Sequence, residues 1–252
     1  MTIMIFAVNK PLGVSTHAYV STIGKKLSEK VTHTGSLDPM ATGVVVVLSG
    51  ADRLDKQQYS DVDKTYTFSM LVGLTTDSLD LLGLVSSCTE QEFCNMDVAM
   101  VEKVSLGFVG EYIQQLPAFC ARRTNGESFF DISKRGEVVP IVYEHTLIKQ
   151  LSLIRVWDIN TEELLERIER HIIYVEGDFR QDEIIVRWRE TMSKLGHHKF
   201  QVFDVTVVSS KRMYVRGLVR DISAKLEIPC TTIAIERTQN GRFSIDDCVA
   251  VF

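Results

Sequence analysis

The stretch HTGSLDPMATGVVVVLSG, residues 33–50, joins a polar loop to a continuous apolar run. The run Val44–Leu48 begins with four β-branched residues in succession, which is typical of a strand buried on both faces. The loop before it holds one carboxylate, Asp38, and the following Pro39 pushes the Asp38 backbone toward an extended conformation. The sequence therefore predicts a stiffly held acid at the mouth of a buried strand.

The rest of the chain mixes helical and strand patterns without a regular βαβ order. Further strands are predicted at 65–73, within 141–157 and at 200–210, and helices at 19–27, 97–108, 164–172 and 215–226. Asn160 and Glu163 have the spacing of a capping box at the start of the third helix. This mixture predicts an α+β fold with a mixed, largely antiparallel central sheet flanked by helices. We expect one domain over residues 1–252. Residues 158–200 are more acidic than their flanks and are interpreted as an insertion or a peripheral subdomain.

Composition narrows the class of protein. The chain has 252 residues, of which 45% are hydrophobic, and its net charge of −5 argues against nonspecific coating of nucleic acid. No apolar run is long enough to span a bilayer, and the N-terminus lacks the pattern of a signal peptide. The five cysteines are scattered without a C-x-x-C pair. These features predict a cytoplasmic protein with reduced thiols, with neither zinc nor disulfides.

Three residues are candidates for a site, and each also has an ordinary interpretation. Asp38 could simply open an Asp-Pro turn. Arg212, Arg216 and Arg220 are spaced four apart and are interpreted as one stripe on a helix flank, but Arg216 turned inward would pair with a buried carboxylate such as Asp38. Tyr66 shares one face of its strand with Phe68, so it either packs in the core or stacks on a planar substrate.

Other chemical signatures are weak or missing. Asp77 and Asp80 in TTDSLD form a poor metal signal, and His33 has no second ligand at suitable spacing. The glycine-rich phosphate loops and the common hydrolase motifs are also missing. From the residues alone the sequence indicates a soluble α+β protein with one plausible carboxylate site.

Five motifs, in order, resemble those of the TruB-type pseudouridine synthases, which convert a uridine in the T-loop of tRNA. NKPLGVST is similar to the N-terminal lysine–proline–glycine motif, and the stretch that begins HTGSLDPMATG is similar to the catalytic signature. DKTYTFSMLVGLTTDSLDLLG is similar to the second motif, LPAFCARRTNGESFFDISKRG to the middle segment, and SSKRMYVRGLVRDI to the tyrosine–x–arginine motif. The resemblance covers most of residues 6–157 and 200–245.

The resemblance implies roles for individual residues. Asp38 aligns with the catalytic aspartate, Tyr66 with the tyrosine that packs on the target base, and Arg216 with the arginine that pairs with the aspartate. By the same resemblance His33 contacts RNA beside the flipped base, and Tyr214 contacts the substrate. Ile235 falls where a leucine usually lines the uridine pocket. The implied fold has its active-site cleft across the sheet, with no metal and no organic cofactor.

Basic residues within the middle segment and the tyrosine–x–arginine motif are expected to contact RNA phosphates, because RNA recognition needs only locally positive surface. The main candidates are Arg122, Arg212 and Arg220. The sequence also departs from the family pattern. Asn9 replaces a frequent aspartate, and Lys211–Arg212–Met213 replaces a smaller Lys-Gly-Thr. Residues 158–200 are longer than the usual connection and are interpreted as an insertion atypical of the family. The sequence ends with GRFSIDDCVAVF, so a C-terminal PUA domain is expected to be absent.

The expected function is isomerisation of uridine to pseudouridine in the T-loop of tRNA by a monomeric enzyme that recognises the T-arm. The alternative is an RNA-binding, tRNA-folding chaperone in which catalysis is secondary or lost. A carboxylate-based hydrolase ranks last, since no second acid is visible opposite Asp38.

Overall fold

A computed structural model of the chain describes residues 5–89 and 96–250. The strands are β1 (Ile5–Lys10), β2 (Val31–His33), β3 (Ala41–Ser49), β4 (Lys64–Val72), β5 (Leu74–Thr76), β6 (Val85–Cys88), β7 (Gly110–Gln115), β8 (Arg123–Thr124), β9 (Glu127–Ser128), β10 (Tyr143–Asn160), β11 (Lys199–Ser209), β12 (Cys230–Asn240) and β13 (Phe243–Ser244). The helices are α1 (Thr16–Leu27), α2 (Lys56–Ser60), α3 (Val98–Leu106), α4 (Phe129–Lys134), α5 (Thr161–Ile172), α6 (Gln181–Leu195) and α7 (Val215–Leu226), with short 3-10 helices at Gly50–Asp55 and Ile245–Asp247. None of the described helices is long and apolar enough to cross a membrane.

A nine-stranded sheet forms the centre of the fold, in the order β1-β3-β12-β4-β11-β10-β7, with β2 beside β3 and β13 beside β12. Neighbours in this sheet pair antiparallel, apart from β3 and β12, which are parallel. The predicted α+β class with a mixed, largely antiparallel sheet is therefore confirmed.

Strand β3 contains the apolar run Val44–Leu48. It lies between β1 and β12, and every residue of this run is buried. Gly43, in register with Arg237 of β12, has a backbone φ of +109°. A Cβ atom at Gly43 would lie 2.3 Å from the Arg237 carbonyl oxygen, so the parallel pairing requires glycine there.

Gly43→Ala is expected to destabilise the protein by about 3 kcal/mol, because the new methyl group both clashes with backbone and strains a positive φ. Gly50→Ala is the matched control, since Gly50 also has a positive φ but no atom lies within 4 Å of the place its methyl group would take. Urea denaturation measures both variants. Equal losses at the two glycines would contradict the close approach of β3 and β12.

Helices cover the two faces of the sheet unequally. On one face, α1 and α7 pack on strands β3, β4 and β11 through residues such as Ile23, Leu218 and Phe68. On the other face, α5 and α6 cover the ends of β4 and β11, where Trp188 is fully buried. Residues 158–200 thus supply a large share of the second core cluster, and their interpretation as an insertion stays a prediction.

The local patterns are mostly confirmed. On β4, Tyr66 and Phe68 are buried while Thr67 and Ser69 are partly exposed, as the alternation predicts. The Asn160–Glu163 capping box at the start of α5 is present. The predicted arginine stripe is wrong: α7 begins at Val215, so Arg212 lies before the helix, and Arg216 is buried.

Candidate active site

The loop that carries Asp38 is held by hydrogen bonds from two other segments. The Leu37 N–H donates to Thr16 Oγ1 (2.8 Å), and the same hydroxyl donates to the Leu37 carbonyl oxygen (2.9 Å). The Gly13 N–H donates to the Pro39 carbonyl oxygen at 2.8 Å. Because Thr16 stands in the first turn of α1, the start of this helix fixes the position of the acid.

Arg216 reaches Asp38 from the first turn of α7. Its Nε donates to Asp38 Oδ2 at 2.8 Å, while Nη1 and Nη2 donate to the carbonyl oxygens of Ser78 (2.6 Å) and Phe119 (2.8 Å). The Arg216 side chain is 2% exposed and the Asp38 side chain 28%. The guanidinium is therefore locked in three directions, and the carboxylate that it anchors keeps one side open.

Asp80 is a second carboxylate at this arginine, and the sequence interpretation missed its role. Its Oδ2 lies 3.7 Å from Arg216 Nε, and its Oδ1 accepts hydrogen bonds from Ser78 Oγ (2.6 Å) and the Leu82 N–H (3.0 Å). Burial raises the pKa of Asp80, and the nearby Asp38 charge adds to the rise although Arg216 opposes it. Burial alone would lower the pKa of Arg216, but Asp38 and Asp80 together raise it, so the guanidinium stays protonated.

The loop TTDSLD, a poor metal signal in the sequence, thus helps to hold the Arg216 guanidinium in place. Asp77 is used differently from Asp80: its Oδ2 lies 3.0 Å from Arg180 Nη1 and its Oδ1 accepts the Leu84 N–H at 2.8 Å. Both carboxylates are committed to internal partners. No local signal identifies the role of Asp80, because the cation that a buried carboxylate needs comes from α7, far along the chain.

A cavity of about 780 Å³ opens in front of Asp38. Tyr66 on β4 and Ile235 on β12 line it and are 8% and 7% exposed. Tyr214, the residue immediately before α7, also lines it. Apolar and aromatic surface therefore surrounds an accessible carboxylate. Such walls suit a flat, uncharged ring placed beside the acid.

Basic side chains are numerous in the lining of this cavity, and the exposed ones, such as Arg122 and Arg212, lie at its mouth. The cations in its lining are Lys56, Lys64, Arg122, Lys211, Arg212 and Arg237. Burial, and then the charge of Arg237, lowers the pKa of Lys64 to about 8. The lining anions are Asp38, Asp61 and Glu144, so the cavity is locally positive in a chain of net charge −5.

Three predicted site residues lie outside this lining: Arg216, which anchors Asp38 from behind, and His33 and Arg220. His33 is on β2; its Nδ1 atom is buried without a hydrogen-bond partner, and burial together with the Lys56 and Arg237 charges lowers its pKa to about 4. His33 is therefore neutral at pH 7. Arg220 is on α7 and donates from Nη2 to the Gln115 carbonyl oxygen (3.0 Å) and from Nε to Asp221 Oδ1 (2.8 Å). In the described structure Arg220 thus braces β7.

Two buried polar residues support the site without any local motif that reveals them. Arg237 is 1% exposed and donates to the carbonyl oxygens of Val44 (2.7 Å) and Gly35 (3.0 Å), so it fixes the loop before Asp38. Gln114 is fully buried; its Nε2 donates to the Arg212 carbonyl oxygen (2.7 Å), and its Oε1 accepts the Tyr214 N–H (3.1 Å). The sequence signal that could have identified them is a charged or amide residue within an otherwise apolar, buried strand.

Lys10, in the NKPLG motif, is buried beneath the same loop. Its Nζ donates to the carbonyl oxygens of Pro11 and Val14, both at 2.8 Å, and closes the turn that holds Pro39 through Gly13. Burial lowers the pKa of Lys10 from 10.5 to about 7, although Asp38 opposes the shift. Lys10 of this motif thus stabilises the turn, and its lowered pKa lies in a pH range where protein stability can be measured.

The Lys10 titration predicts a pH dependence of stability. Between the folded pKa of about 7 and the unfolded pKa of 10.5, the unfolded chain binds a proton at Lys10 that the folded chain does not. The free energy of unfolding therefore rises with pH in this window, by up to about 1.4 kcal/mol per pH unit. Lys10→Met should make the slope shallower by the Lys10 contribution, whereas Lys25→Met, at an exposed position, should leave the slope unchanged. Urea denaturation across the window tests this, and equal slopes in wild type and Lys10→Met would refute it.

Comparison with known proteins agrees with this arrangement. A family model described as TruB family pseudouridylate synthase (N terminal domain) matches residues 24–170. A tRNA pseudouridine synthase B from Thermotoga petrophila is 27% identical over 244 residues, which is 96% of this chain and 64% of the relative. The tRNA pseudouridine synthase B from Parabacteroides distasonis is 29% identical, covering 96% of this chain and 87% of the relative.

Solved structures support the fold. The protein in a structure of an H/ACA RNP bound to a substrate RNA containing 2'-deoxyuridine aligns with a TM-score of 0.57 at 16% identity, over 95% of this chain and 48% of that chain. This chain spans just under two thirds of the length of the Thermotoga relative. With the family model matching more than half of the residues, the chain belongs to the TruB family of pseudouridylate synthases.

Proposed function

We propose that this protein is a tRNA pseudouridine synthase that isomerises a uridine of the T-loop, with Asp38 as the catalytic carboxylate. The observation that carries the proposal is the Asp38–Arg216 ion pair, in which a 2.8 Å contact anchors a partly exposed acid beside the Tyr66 and Ile235 walls of the cavity. Membership of the TruB family and the names of the two bacterial relatives support the reaction type.

The reaction needs one carboxylate that faces a ribose. The N1–C1′ bond breaks, the freed base rotates, and a new bond joins C5 to C1′; the hydrogen on C5 leaves and N1 gains one. Asp38 serves either as the nucleophile at C1′ or as the base that removes a proton from C2′. Both routes require a carboxylate held in one place, and Arg216, itself fixed by its bonds to two carbonyl oxygens, holds Asp38 through the Nε–Oδ2 hydrogen bond.

The cavity walls hold the base while its bond to the sugar changes. The target nucleotide must leave its stack first, since a stacked base cannot reach a carboxylate inside a cavity. The Tyr66 ring then packs on the uracil face, with Ile235 and Tyr214 as further walls. Apolar contacts of this kind let the freed base rotate without breaking directional hydrogen bonds.

The substrate and the working state are part of the proposal. The positive mouth of the cavity suits the folded T-arm, whose phosphates surround the flipped uridine. We expect the protein to act as a monomer in the cytoplasm, where tRNA is available. Sedimentation of the protein with and without tRNA tests the monomer, because a dimer would double the protein mass in both runs.

The loss of the C5 hydrogen gives a direct assay. Wild-type protein incubated with unmodified tRNA that carries tritium at C5 of its uridines should release close to one tritium per tRNA. A transcript with cytidine in place of the T-loop uridine is the control and should release none. Tight tRNA binding without any release from the normal transcript would instead favour a folding chaperone.

A further inference from the structure

Arg212 has an unusual backbone for its residue type. Its φ is +68°, in the left-handed region that arginine rarely adopts and glycine adopts freely. Buried Gln114 enforces this conformation, because its side chain bonds both the Arg212 carbonyl oxygen and the Tyr214 N–H. The loop therefore holds Arg212 in a backbone conformation in which glycine would be less strained than arginine.

The Arg212 side chain shares one carboxylate with a second arginine. Nη1 of Arg212 lies 3.1 Å from Glu144 Oε2, and Nη1 of Arg122 lies 3.4 Å from Glu144 Oε1. The Glu144 side chain is 14% exposed, whereas those of Arg212 and Arg122 are 61% and 50% exposed. The carboxylate thus lies underneath, and the two guanidiniums, from separate loops, lie on the surface above it.

The charges of this trio do not cancel. Two guanidiniums and one carboxylate leave one positive charge, which matches the single negative charge of a phosphodiester. All three residues line the mouth of the cavity that Asp38 faces. Each guanidinium has five N–H donors in a planar fork suited to phosphate oxygens, and the contact to Glu144 uses only a part of them.

We propose that Arg122 and Arg212 together bind one RNA phosphate at the cavity mouth, while Glu144 holds the two guanidiniums in place before RNA arrives. This inference rests on the proposed function, because the ligand is the backbone of the RNA whose uridine enters the cavity. The clamp explains why an arginine occupies a left-handed position: its side chain reaches Glu144, which also contacts Arg122. It also explains why one carboxylate, Glu144, contacts two arginines at once.

The test measures tRNA binding in the Asp38→Asn background, in which bound RNA is not converted. The variants are Arg212→Gly, which fits the positive φ, Arg122→Ala, and the pair combined. We expect each single change to raise the Kd for unmodified tRNA about tenfold. The slope of log Kd against log KCl should become shallower by about one phosphate contact. The loss of binding free energy in the combined variant should be smaller than the sum of the two single losses, since both arginines bind the same phosphate.

Arg155→Ala is the matched control. Arg155 is 65% exposed and pairs with Asp204, which is 14% exposed, so it resembles Arg212 and Glu144 in burial and charge but lies outside the cavity lining. Its Kd should stay that of the parent. Thermal denaturation should show that Arg212→Gly is as stable as the parent or more stable, because glycine relieves the backbone strain.

Two results would overturn the clamp: tRNA binding by Arg212→Gly and Arg122→Ala as tight as that of the parent, or losses no larger than that of Arg155→Ala. Arg122→Ala keeps the test valid even if the 211–214 loop rearranges in the other variant. Tritium release by the otherwise wild-type protein separates this outcome from the broader one. A clamp that fails in an active synthase removes only this inference, whereas an inactive wild type removes the proposed function.

Discussion

Asp38→Asn is expected to abolish pseudouridine formation, with the rate falling by at least about 10⁴-fold. The amide is nearly the same size as the carboxylate but is neither a nucleophile for C1′ nor a base for C2′. Its carbonyl oxygen can still accept the hydrogen bond that Arg216 Nε donates to Asp38 Oδ2. The fold and the binding of tRNA should therefore persist while the chemistry stops.

Asp61→Asn is the matched control for this change. Asp61 also lines the cavity, but its carboxylate is 43% exposed and pairs with Lys211, away from Arg216. Its rate should fall by no more than about tenfold, as expected for an exposed ion pair. Single-turnover conversion of tRNA measures both variants. More than a few per cent of the wild-type rate in Asp38→Asn would rule out Asp38 as the catalytic group.

Arg216→Ala is expected to cost about 3–5 kcal/mol of unfolding free energy, since it leaves carboxylates in the interior without their cation. Asp80 is the more affected of the two, because it is buried while Asp38 keeps one side open. The carbonyl oxygens of Ser78 and Phe119 also lose their donors. For a chain of this size the melting temperature should fall by about 10 °C.

The loss in Arg216→Ala should shrink as the pH falls. Arg216 is the charge that holds the pKa of Asp80 down against burial, so its removal raises that pKa further above the unfolded value. A group with a raised folded pKa stabilises the fold as it becomes protonated, which happens toward acid. Arg220→Ala, one turn further along α7, is the control and should cost about 1 kcal/mol without this pH dependence. Equal and pH-independent losses would contradict the paired carboxylates.

Local patterns were sufficient for much of the fold. The alternation on β4 and the apolar run of β3 identified the central strands, because period-two burial is written in neighbouring residues. The Asn160–Glu163 capping box located the start of α5 for the same reason. The resemblance identified Asp38, Tyr66 and Arg216. In the structure Asp38 and Tyr66 line one cavity, and Arg216 forms an ion pair with Asp38.

Long-range features were beyond sequence reasoning. Spacing of four residues suggested a stripe through Arg212 and Arg216, yet φ at Arg212 keeps it out of the helix and three distant acceptors draw Arg216 inward. The partners of Asp80 and Gln114 lie far away in the sequence. They become apparent only in the folded structure, where β7, α7 and the loop after β5 are adjacent. Polar residues gain such partners from topology, which no local period encodes.

Mapping of pseudouridine at single-nucleotide resolution in an unmodified tRNA, after incubation with the purified protein, tests the central claim most directly. The claim is that the Asp38 cavity converts one flipped uridine. We predict one pseudouridine per tRNA, in the T-loop, with wild-type protein and none with Asp38→Asn. Pseudouridine at the same level with both proteins, or none with wild type on any tRNA, would contradict it.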